Sequence, residues 1–154
     1  MIPWELLARV DTPTVCNAIE VAQGKRGFSG FTRATPIASN PDAPAIVGFA
    51  RTASIRGSTP PDAEVAEVRA RRMAYFEHMA AGPRPAIAVV EDEDPVPVGA
   101  WWGEIHVAVH KGLALGGALT NGLVRDLGDL DPAFPVIAGG IGPSHGFVHV
   151  TQIG

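Results

Sequence analysis

The sequence predicts an α/β fold with parallel strands, and three features of the chain lead to this class. Residues 86–90 (AIAVV) form a short continuous apolar run, which is typical of a strand covered on both faces. Residues 104–111 then predict a helix that ends at Gly112, and residues 115–120 predict a second buried strand. A strand, a helix and a strand in this order form a βαβ crossover, which implies a parallel sheet.

The composition favours a single domain over residues 1–154. With 46% apolar residues the chain can bury an ordinary core, and its net charge of −4, without a basic stripe, makes nucleic acid an unexpected partner. The single cysteine, Cys16, excludes an intrachain disulfide, fits a reducing compartment and is expected to be a buried structural thiol. The sequence has no signal-like start and no run of 18 apolar residues, so we expect a cytoplasmic protein without a membrane partner.

The N-terminal part is expected to begin with two helices. Residues 3–10 predict a short helix, and Thr12 then predicts an N-cap with Pro13 at the first helical position. This second helix ends at Gly24. Residues 24–44 are dense in glycine and proline and predict a long connecting segment.

The remaining elements follow from apolar spacing. Residues 45–55 are rich in small and β-branched residues and predict a strand, while residues 62–81 carry apolar residues at helical spacing. The acidic run at residues 91–94 is interpreted as a solvated loop. Residues 135–138 and 147–153 supply two more strand candidates.

The candidate site consists of charged residues at the start of the crossover helix and just after the second strand. Glu104 begins the helix, and Arg125 and Asp126 follow the second strand. Because the carboxyl ends of parallel strands meet at one edge of a sheet, we expect these residues to lie close together. The alternative interpretation is an ordinary surface ion pair.

The chemistry of these groups suits a small 2-oxo acid that chelates a divalent ion. Asp126 is a hard oxygen ligand for Mg²⁺ or Mn²⁺, and Glu104 can bind the metal through a water or act as an acid/base. Arg125 can hold a keto or enolate oxygen. The backbone amides of Gly103, Glu104, Ile105 and His106 open the helix and can bind the substrate carboxylate. Aldol cleavage and β-decarboxylation both pass through such an enolate.

The same residues resemble a known family. Glu104, twenty intervening residues and Arg125-Asp126 resemble the acid-x20-Arg-Asp pattern of class II pyruvate aldolases. These are the 4-hydroxy-4-methyl-2-oxoglutarate/4-carboxy-4-hydroxy-2-oxoadipate aldolases, which share the RraA-like fold with the regulator of ribonuclease activity A. The resemblance extends over nearly the whole chain, through Thr12-Pro13, Asn17-Ala18, VGFARTASI at 47–55, NGLVRDL at 121–127 and FPVIAGGIGPSH at 134–145.

The resemblance implies a swivelling β/β/α domain and a role for each site residue. Asp126 would ligate Mg²⁺ (or Mn²⁺), Arg125 would bind the keto oxygen, and Glu104 would hold metal-bound waters. It also implies a homo-oligomer, either a trimer or a hexamer. Two departures stand out: Asn121 replaces an aspartate that family enzymes often have, and the chain is expected to lack the family's C-terminal segment.

Two functions are therefore expected to compete. The first is a metal-dependent lyase that acts on a small 2-oxo acid, as an aldolase, an oxaloacetate decarboxylase or both. The alternative is a non-catalytic, protein-binding regulator of the ribonuclease-regulator type. An older family label, demethylmenaquinone methyltransferase, gains no support because no glycine-rich nucleotide loop is present.

Other residues receive structural interpretations. His106 and His110 lie four apart and could share a metal, but helix-surface or core histidines are favoured. His149 alternates with valines and is interpreted as solvent-facing or at an interface, and no role is assigned to His145. The remaining interpretations are packing for Trp101 and Trp102, and a solvated helix face for Arg69, Arg71 and Arg72.

Overall fold

The computed structural model describes residues 3–154, which form four helices and nine strands. The helices are α1 (Trp4–Leu7), α2 (Thr12–Gln23), α3 (Val65–Ala80) and α4 (Glu104–Gly112). The strands are β1 (Ile37–Ala38), β2 (Phe49–Arg56), β3 (Ala86–Asp92), β4 (Ala100–Trp102), β5 (Ala118–Thr120), β6 (Leu123–Val124), β7 (Val136–Ala138), β8 (Gly140–Ile141) and β9 (His149–Ile153).

The main sheet has six strands in the order β1-β7-β5-β3-β2-β9. Its four central strands pair in parallel, and the edge strands β1 and β9 pair antiparallel. Strands β3 and β5 are direct parallel neighbours, with Ala88 opposite Ala118, and α4 lies between them in sequence. The predicted α/β class and the βαβ crossover are therefore confirmed.

A second, three-stranded sheet in the order β4-β6-β8 was not predicted. Each of its strands follows a strand of the main sheet along the chain: β4 follows β3, β6 follows β5, and β8 follows β7. All three pair in parallel. Strands of two or three residues are too short to carry an alternating apolar pattern, so only long-range pairing defines them.

The core lies where the main sheet meets α3, α4 and the small sheet. Alternate residues of β3, namely Ala86, Ala88 and Val90, are buried on this side. Trp101 and Trp102 are almost fully buried, which confirms their interpretation as packing residues. None of the helices within residues 3–154 has the length and apolar character needed to cross a bilayer.

The acidic run at residues 91–94 is not a solvated loop. Glu91 and Asp92 complete β3, and both Asp92 and Asp94 are buried. The Asp94 carboxylate accepts hydrogen bonds from the backbone N–H groups of Gly57 and Ser58, each at 2.8 Å, and from Ser58 Oγ at 2.6 Å. Burial raises the pKa of Asp94, but these bonds outweigh it and leave the pKa below its ordinary value. The buried acid therefore anchors the end of β2.

Several local predictions also need correction. The N-cap of α2 is Asp11 rather than Thr12, because the Asp11 side chain accepts from the Thr14 N–H at 2.9 Å. Residues 37–38 in the predicted connecting segment form β1, which pairs with β7. Cys16 is half-buried rather than buried, and His149 is buried rather than solvent-facing.

Candidate active site

The structure brings together the charged residues that the sequence singles out. Strands β4 and β6 are parallel neighbours, and the backbone N–H of Arg125 donates to the Trp102 carbonyl at 2.8 Å. The backbone N–H of Glu104 donates to Asp126 Oδ2 at 3.2 Å. The site therefore lies at the carboxyl ends of the small sheet, not at the edge of β3 and β5 where sequence reasoning placed it. The rule about parallel strands holds, but for strands that the sequence did not reveal.

Gly103 allows the Arg125 and Asp126 side chains to lie close to the start of α4. A Cβ atom at Gly103 would lie 2.6 Å from Asp126 Oδ2 and 2.9 Å from Arg125 Cζ. The backbone of Gly103 is extended, with φ −150°, so any residue could adopt its conformation. The requirement for glycine here is space, because the Arg125 and Asp126 side chains pack directly against the start of α4.

Asp126 occupies an unusual backbone position. Its φ of 59° is in the left-handed region, where aspartate and asparagine are the best-tolerated residues with a side chain. Its side chain is 30% exposed, and Oδ2 of its carboxylate lies 3.0 Å from Arg125 Nη1. Such backbone conformations are concentrated at functional sites, where the surrounding structure holds them.

Arg125 keeps most of its hydrogen-bonding capacity. The side chain is 27% exposed, and within residues 3–154 only Nη1 is bonded, to the neighbouring Asp126. Nε is buried and has no partner in the same part of the chain. The guanidinium therefore retains donors for a ligand oxygen.

The start of α4 presents fewer free amides than expected. The Glu104 amide is already used by Asp126. The Ile105 and His106 amides lie in the first helical turn, where an α-helix offers its N–H groups no internal acceptor. These two amides remain donors for a carboxylate, and the exposed Glu104 side chain lies beside them.

A pocket of about 470 Å³ opens next to these groups. Ile105, His106 and Arg125 line one part of it, and Arg72 of α3 lines another. Residues 145–148 from the β8–β9 connection and His149, the first residue of β9, complete the wall together with Pro61 and Val68. Arg72 is exposed, as predicted for a solvated helix face. Sequence reasoning did not place it beside Arg125, since no spacing rule links α3 to the end of β6.

His145 and His149 both belong to this wall. Nδ1 of His145 lies 2.6 Å from the Gly146 carbonyl, and Nδ1 of His149 lies 2.8 Å from the Phe147 carbonyl. Because a carbonyl only accepts, each Nδ1 carries a proton. The other ring nitrogen of each histidine is thereby left as the acceptor in the neutral form.

His110 belongs to a buried hydrogen-bond network that includes the His106 carbonyl. Nδ1 of His110 donates to the His106 carbonyl at 2.6 Å, so its Nε2 accepts from the Tyr75 hydroxyl at 2.6 Å. Burial lowers the pKa of His110 to about 4. Burial is the main cause that lowers the pKa of His106 to about 3, and repulsion from His110, when that ring is protonated, and from Arg72 and Arg125 acts in the same direction. Both rings are therefore neutral near pH 7.

Replacing Tyr75 by phenylalanine is expected to destabilise the fold by about 1–3 kcal/mol, because the buried Nε2 of His110 would lose its donor. The ring packing against Trp101 would remain. Urea denaturation at pH 7 measures the change. An unchanged free energy of unfolding would contradict the hydrogen bond between Tyr75 and His110.

Asn121 has a structural task where the family resemblance leads us to expect an aspartate. Its Oδ1 accepts from the Asp92 N–H at 2.7 Å, and its Nδ2 donates to the Asp92 carbonyl at 2.8 Å. A carboxylate could make only the first of these bonds, because it cannot donate. The amide therefore ties the end of β3 to the end of β5.

The donor set at Asp126 suits a hard, hydrated cation. No group of three His, Cys, Asp or Glu side chains within residues 3–154 is arranged to hold a metal. Mg²⁺ does not need such a group, because it commonly keeps several waters and binds through one or two carboxylates plus substrate oxygens. A partly exposed Asp126 carboxylate beside Glu104 fits that mode.

Solved structures share this fold. An uncharacterized protein from Pseudomonas syringae pv. tomato str. DC3000 matches with a TM-score of 0.64 and 16% identity, over 96% of this chain and 61% of that chain. This chain thus spans less than two thirds of that protein's length. Streptomyces coelicolor RraAS2, described as an unusual member of the RNase ES inhibitor RraA protein family, matches with a TM-score of 0.58 and 19% identity, over 97% and 68% of the two chains.

A third structure carries a different description. The protein from Geobacillus kaustophilus HTA426 described as an S-adenosylmethionine: 2-dimethylmenaquinone methyltransferase matches with a TM-score of 0.56 and 16% identity, over 89% and 73% of the two chains. At identities this low, these likenesses establish the fold alone.

The sequence comparison identifies the family. No curated protein matches the chain significantly. Residues 12–152 match the RraA-like family, whose description is Aldolase/RraA, and this range covers most of the chain. The description joins aldolases with RraA proteins, so membership alone does not choose between an enzyme and a regulator. With the sequence match and the shared fold in agreement, the chain belongs to the RraA-like family.

Proposed function

We propose that the protein is a divalent-metal-dependent lyase that cleaves a small 2-oxo acid through a pyruvate enolate. The reaction is aldol cleavage of a 4-hydroxy-4-methyl-2-oxoglutarate-type substrate, decarboxylation of oxaloacetate, or both. The observation that carries the proposal is the junction at the ends of β4 and β6. There the Asp126 carboxylate, the Arg125 guanidinium and the start of α4 converge beside a pocket.

The residues divide the work according to their chemistry. Asp126, with Glu104 nearby, would hold Mg²⁺ (or Mn²⁺), which as a bound Lewis acid polarises the keto group and stabilises developing negative charge. Arg125 donates to the keto oxygen, where charge accumulates as the bond breaks. The Ile105 and His106 amides bind the C1 carboxylate, and Glu104 orients waters that carry protons at the open edge of the site.

Both reactions lead to the same product by the same electron movement. In aldol cleavage the C4 hydroxyl loses its proton and becomes the carbonyl of a second pyruvate, while the C3–C4 bond breaks and its electron pair forms the enolate. In decarboxylation the C3–C4 bond breaks with release of CO₂ and forms the same enolate. A proton added at C3 then yields pyruvate in either case, so one site can serve both substrates.

The test is pyruvate release from both substrates, with Mg²⁺ and with chelator, against blanks that contain metal but no protein. Metal-dependent release above the blank supports the lyase. Absence of release from folded protein with either substrate would reject it.

The alternative is a protein-binding regulator of the ribonuclease-regulator type. Three large apolar side chains near the site are exposed: Ile105 by 69%, Ile141 by 62% and Phe147 by 54%. Exposed apolar residues grouped in this way favour contact with another protein chain. They also support a homo-oligomer, a trimer or a hexamer, whose mass light scattering measures. Catalysis in the pyruvate assay separates the enzyme from a pure regulator.

Replacing Gly103 by alanine is expected to lower kcat/KM by about 100-fold, because the added Cβ would push the Asp126 and Arg125 side chains away from the start of α4. Gly112→Ala is the matched control, since it lies at the other end of the same helix and a Cβ there meets nothing within 4 Å. Steady-state kinetics of both variants measure the effect. Full activity in Gly103→Ala would contradict the proposed site.

A further inference from the structure

We infer that Arg72 recognises the distal carboxylate of a dicarboxylic 2-oxo acid and thereby favours aldol cleavage over decarboxylation. This inference rests on the proposed function, because it names the residue that selects the substrate of the same site. Arg72 lies on α3, which contributes one wall of the pocket. No residue of the acid-x20-Arg-Asp pattern lies on this helix.

The first argument is the charge of the pocket wall. Among its lining residues are two arginines, Arg72 and Arg125, and three histidines, while no lining residue from the described part of the chain is acidic. One cation serves the keto end of the substrate. The second cation, on a different element, suits a second anionic group.

The second argument is that Arg72 has no competing partner on its own helix. Arg71, its neighbour, forms an i,i+4 ion pair with Glu67 at 2.8 Å. The corresponding neighbours of Arg72 are Val68 and Phe76, which are apolar. Within residues 3–154, Arg72 makes no salt bridge, so its charge is available to a ligand.

The third argument places both arginines near one side chain. Arg72 and Arg125 both line the same pocket as His106. Val68 and Phe147 provide apolar wall for the carbons of a short chain. A substrate held by Arg125 at its keto group therefore meets a second cation, Arg72, on another wall of the same pocket.

The two candidate reactions respond differently to a cation at that end. In aldol cleavage of 4-hydroxy-4-methyl-2-oxoglutarate the distal carboxylate keeps its charge from substrate to product. In decarboxylation of oxaloacetate the distal carboxylate loses its charge as it leaves as CO₂. A cation bound to it stabilises the substrate more than the transition state and does not accelerate that reaction.

The experiment compares Arg72→Met with Arg72→Lys and with Arg71→Met as the matched control. For 4-hydroxy-4-methyl-2-oxoglutarate we expect Arg72→Met to raise KM and lower kcat/KM roughly 10-fold or more, the loss typical of one charge-assisted hydrogen bond. For oxaloacetate, kcat is expected to stay constant or rise, with kcat/KM changed by about twofold or less. Arg72→Lys should recover part of the loss, and Arg71→Met should behave as the unmodified protein.

A reaction without a second carboxylate separates this inference from the proposed function. Exchange of the pyruvate methyl protons in D₂O should require Mg²⁺ and Asp126 and be unaffected by Arg72→Met. If the unmodified protein is active but Arg72→Met changes both substrates equally or neither, the role of Arg72 is refuted and the lyase stands. If the unmodified protein neither releases pyruvate nor exchanges its protons, the lyase itself is refuted.

If the lyase is refuted, a ligand-binding experiment still tests whether Arg72 recognises a distal carboxylate. The probe is 2-oxoglutarate, a dicarboxylic 2-oxo acid without the 4-hydroxyl group, compared with pyruvate at equal concentration and with Mg²⁺ present. A larger rise in Tm with 2-oxoglutarate, lost in Arg72→Met and kept in Arg71→Met, supports the inference. Equal rises in Tm with the two acids overturn it.

Discussion

Replacing Asp126 by asparagine is expected to lower metal-dependent pyruvate release by about 1000-fold while the protein stays folded. Loss of a bound Lewis acid removes several kcal/mol of transition-state stabilisation, and each 1.36 kcal/mol corresponds to a tenfold change in rate. Asparagine removes the negative charge that attracts a hard cation. It keeps the side-chain shape and tolerates the left-handed backbone at φ 59°, whereas alanine would add backbone strain of about 1–2 kcal/mol.

Asp129→Asn is the matched control for this experiment. Asp129 is exposed and reaches the site only through its backbone, whose N–H donates to the Asp126 carbonyl at 2.9 Å. Initial rates are measured over a Mg²⁺ titration, with the rate of metal-only blanks subtracted. Retention of more than a tenth of the rate in Asp126→Asn would remove Asp126 from the metal site, provided that Asp129→Asn is fully active.

The free energy of unfolding is expected to fall by several kcal/mol between pH 6.5 and pH 4. The folded-state pKa values of His106 and His110, about 3 and about 4, lie below the ordinary value of 6.5. In this window the unfolded chain binds more protons than the folded chain, so stability rises with pH. The contribution is fully present above about pH 6.5 and is lost as the pH falls towards the two folded-state values. The free energy of unfolding of native domains is only about 5–15 kcal/mol in total, so a loss of several kcal/mol is a large fraction of it.

Urea denaturation at steps between pH 7 and pH 4.5 measures this slope. Two histidines that stay neutral in the folded chain but bind protons in the unfolded chain change the free energy of unfolding by about 2.7 kcal/mol per pH unit. His106→Gln should remove about half of this slope. The carboxylates whose pKa values are lowered, such as Asp94 and Asp131, titrate below this window. Burial raises the pKa of Asp92, which acts in the opposite direction. A flat free energy between pH 6.5 and pH 4.5 would contradict the buried neutral state of both rings.

The sequence by itself was sufficient for the βαβ core and for the expectation that Glu104 lies close to Arg125 and Asp126. An apolar run such as residues 86–90 is a local signal, because a strand covered on both faces needs apolar residues wherever its side chains point. The chain order of strand, helix and strand then leaves parallel pairing as the one common topology. The family resemblance draws on the same charged residues. It led to an expected function and to site roles that apolar periodicity alone does not predict.

The tertiary structure alone decided where the candidate site lies and what surrounds it. Strands β4, β6 and β8 are defined by pairing between distant segments, so no local pattern could place Gly103 against Asp126 across a second sheet. Burial of Asp94 depends on donors 36 and 37 residues away, and the fate of a polar residue follows its partners rather than its own hydropathy. Arg72 looks like a solvated helix residue in sequence. It is indeed exposed, and it also lines the pocket because folding places α3 beside the end of β6.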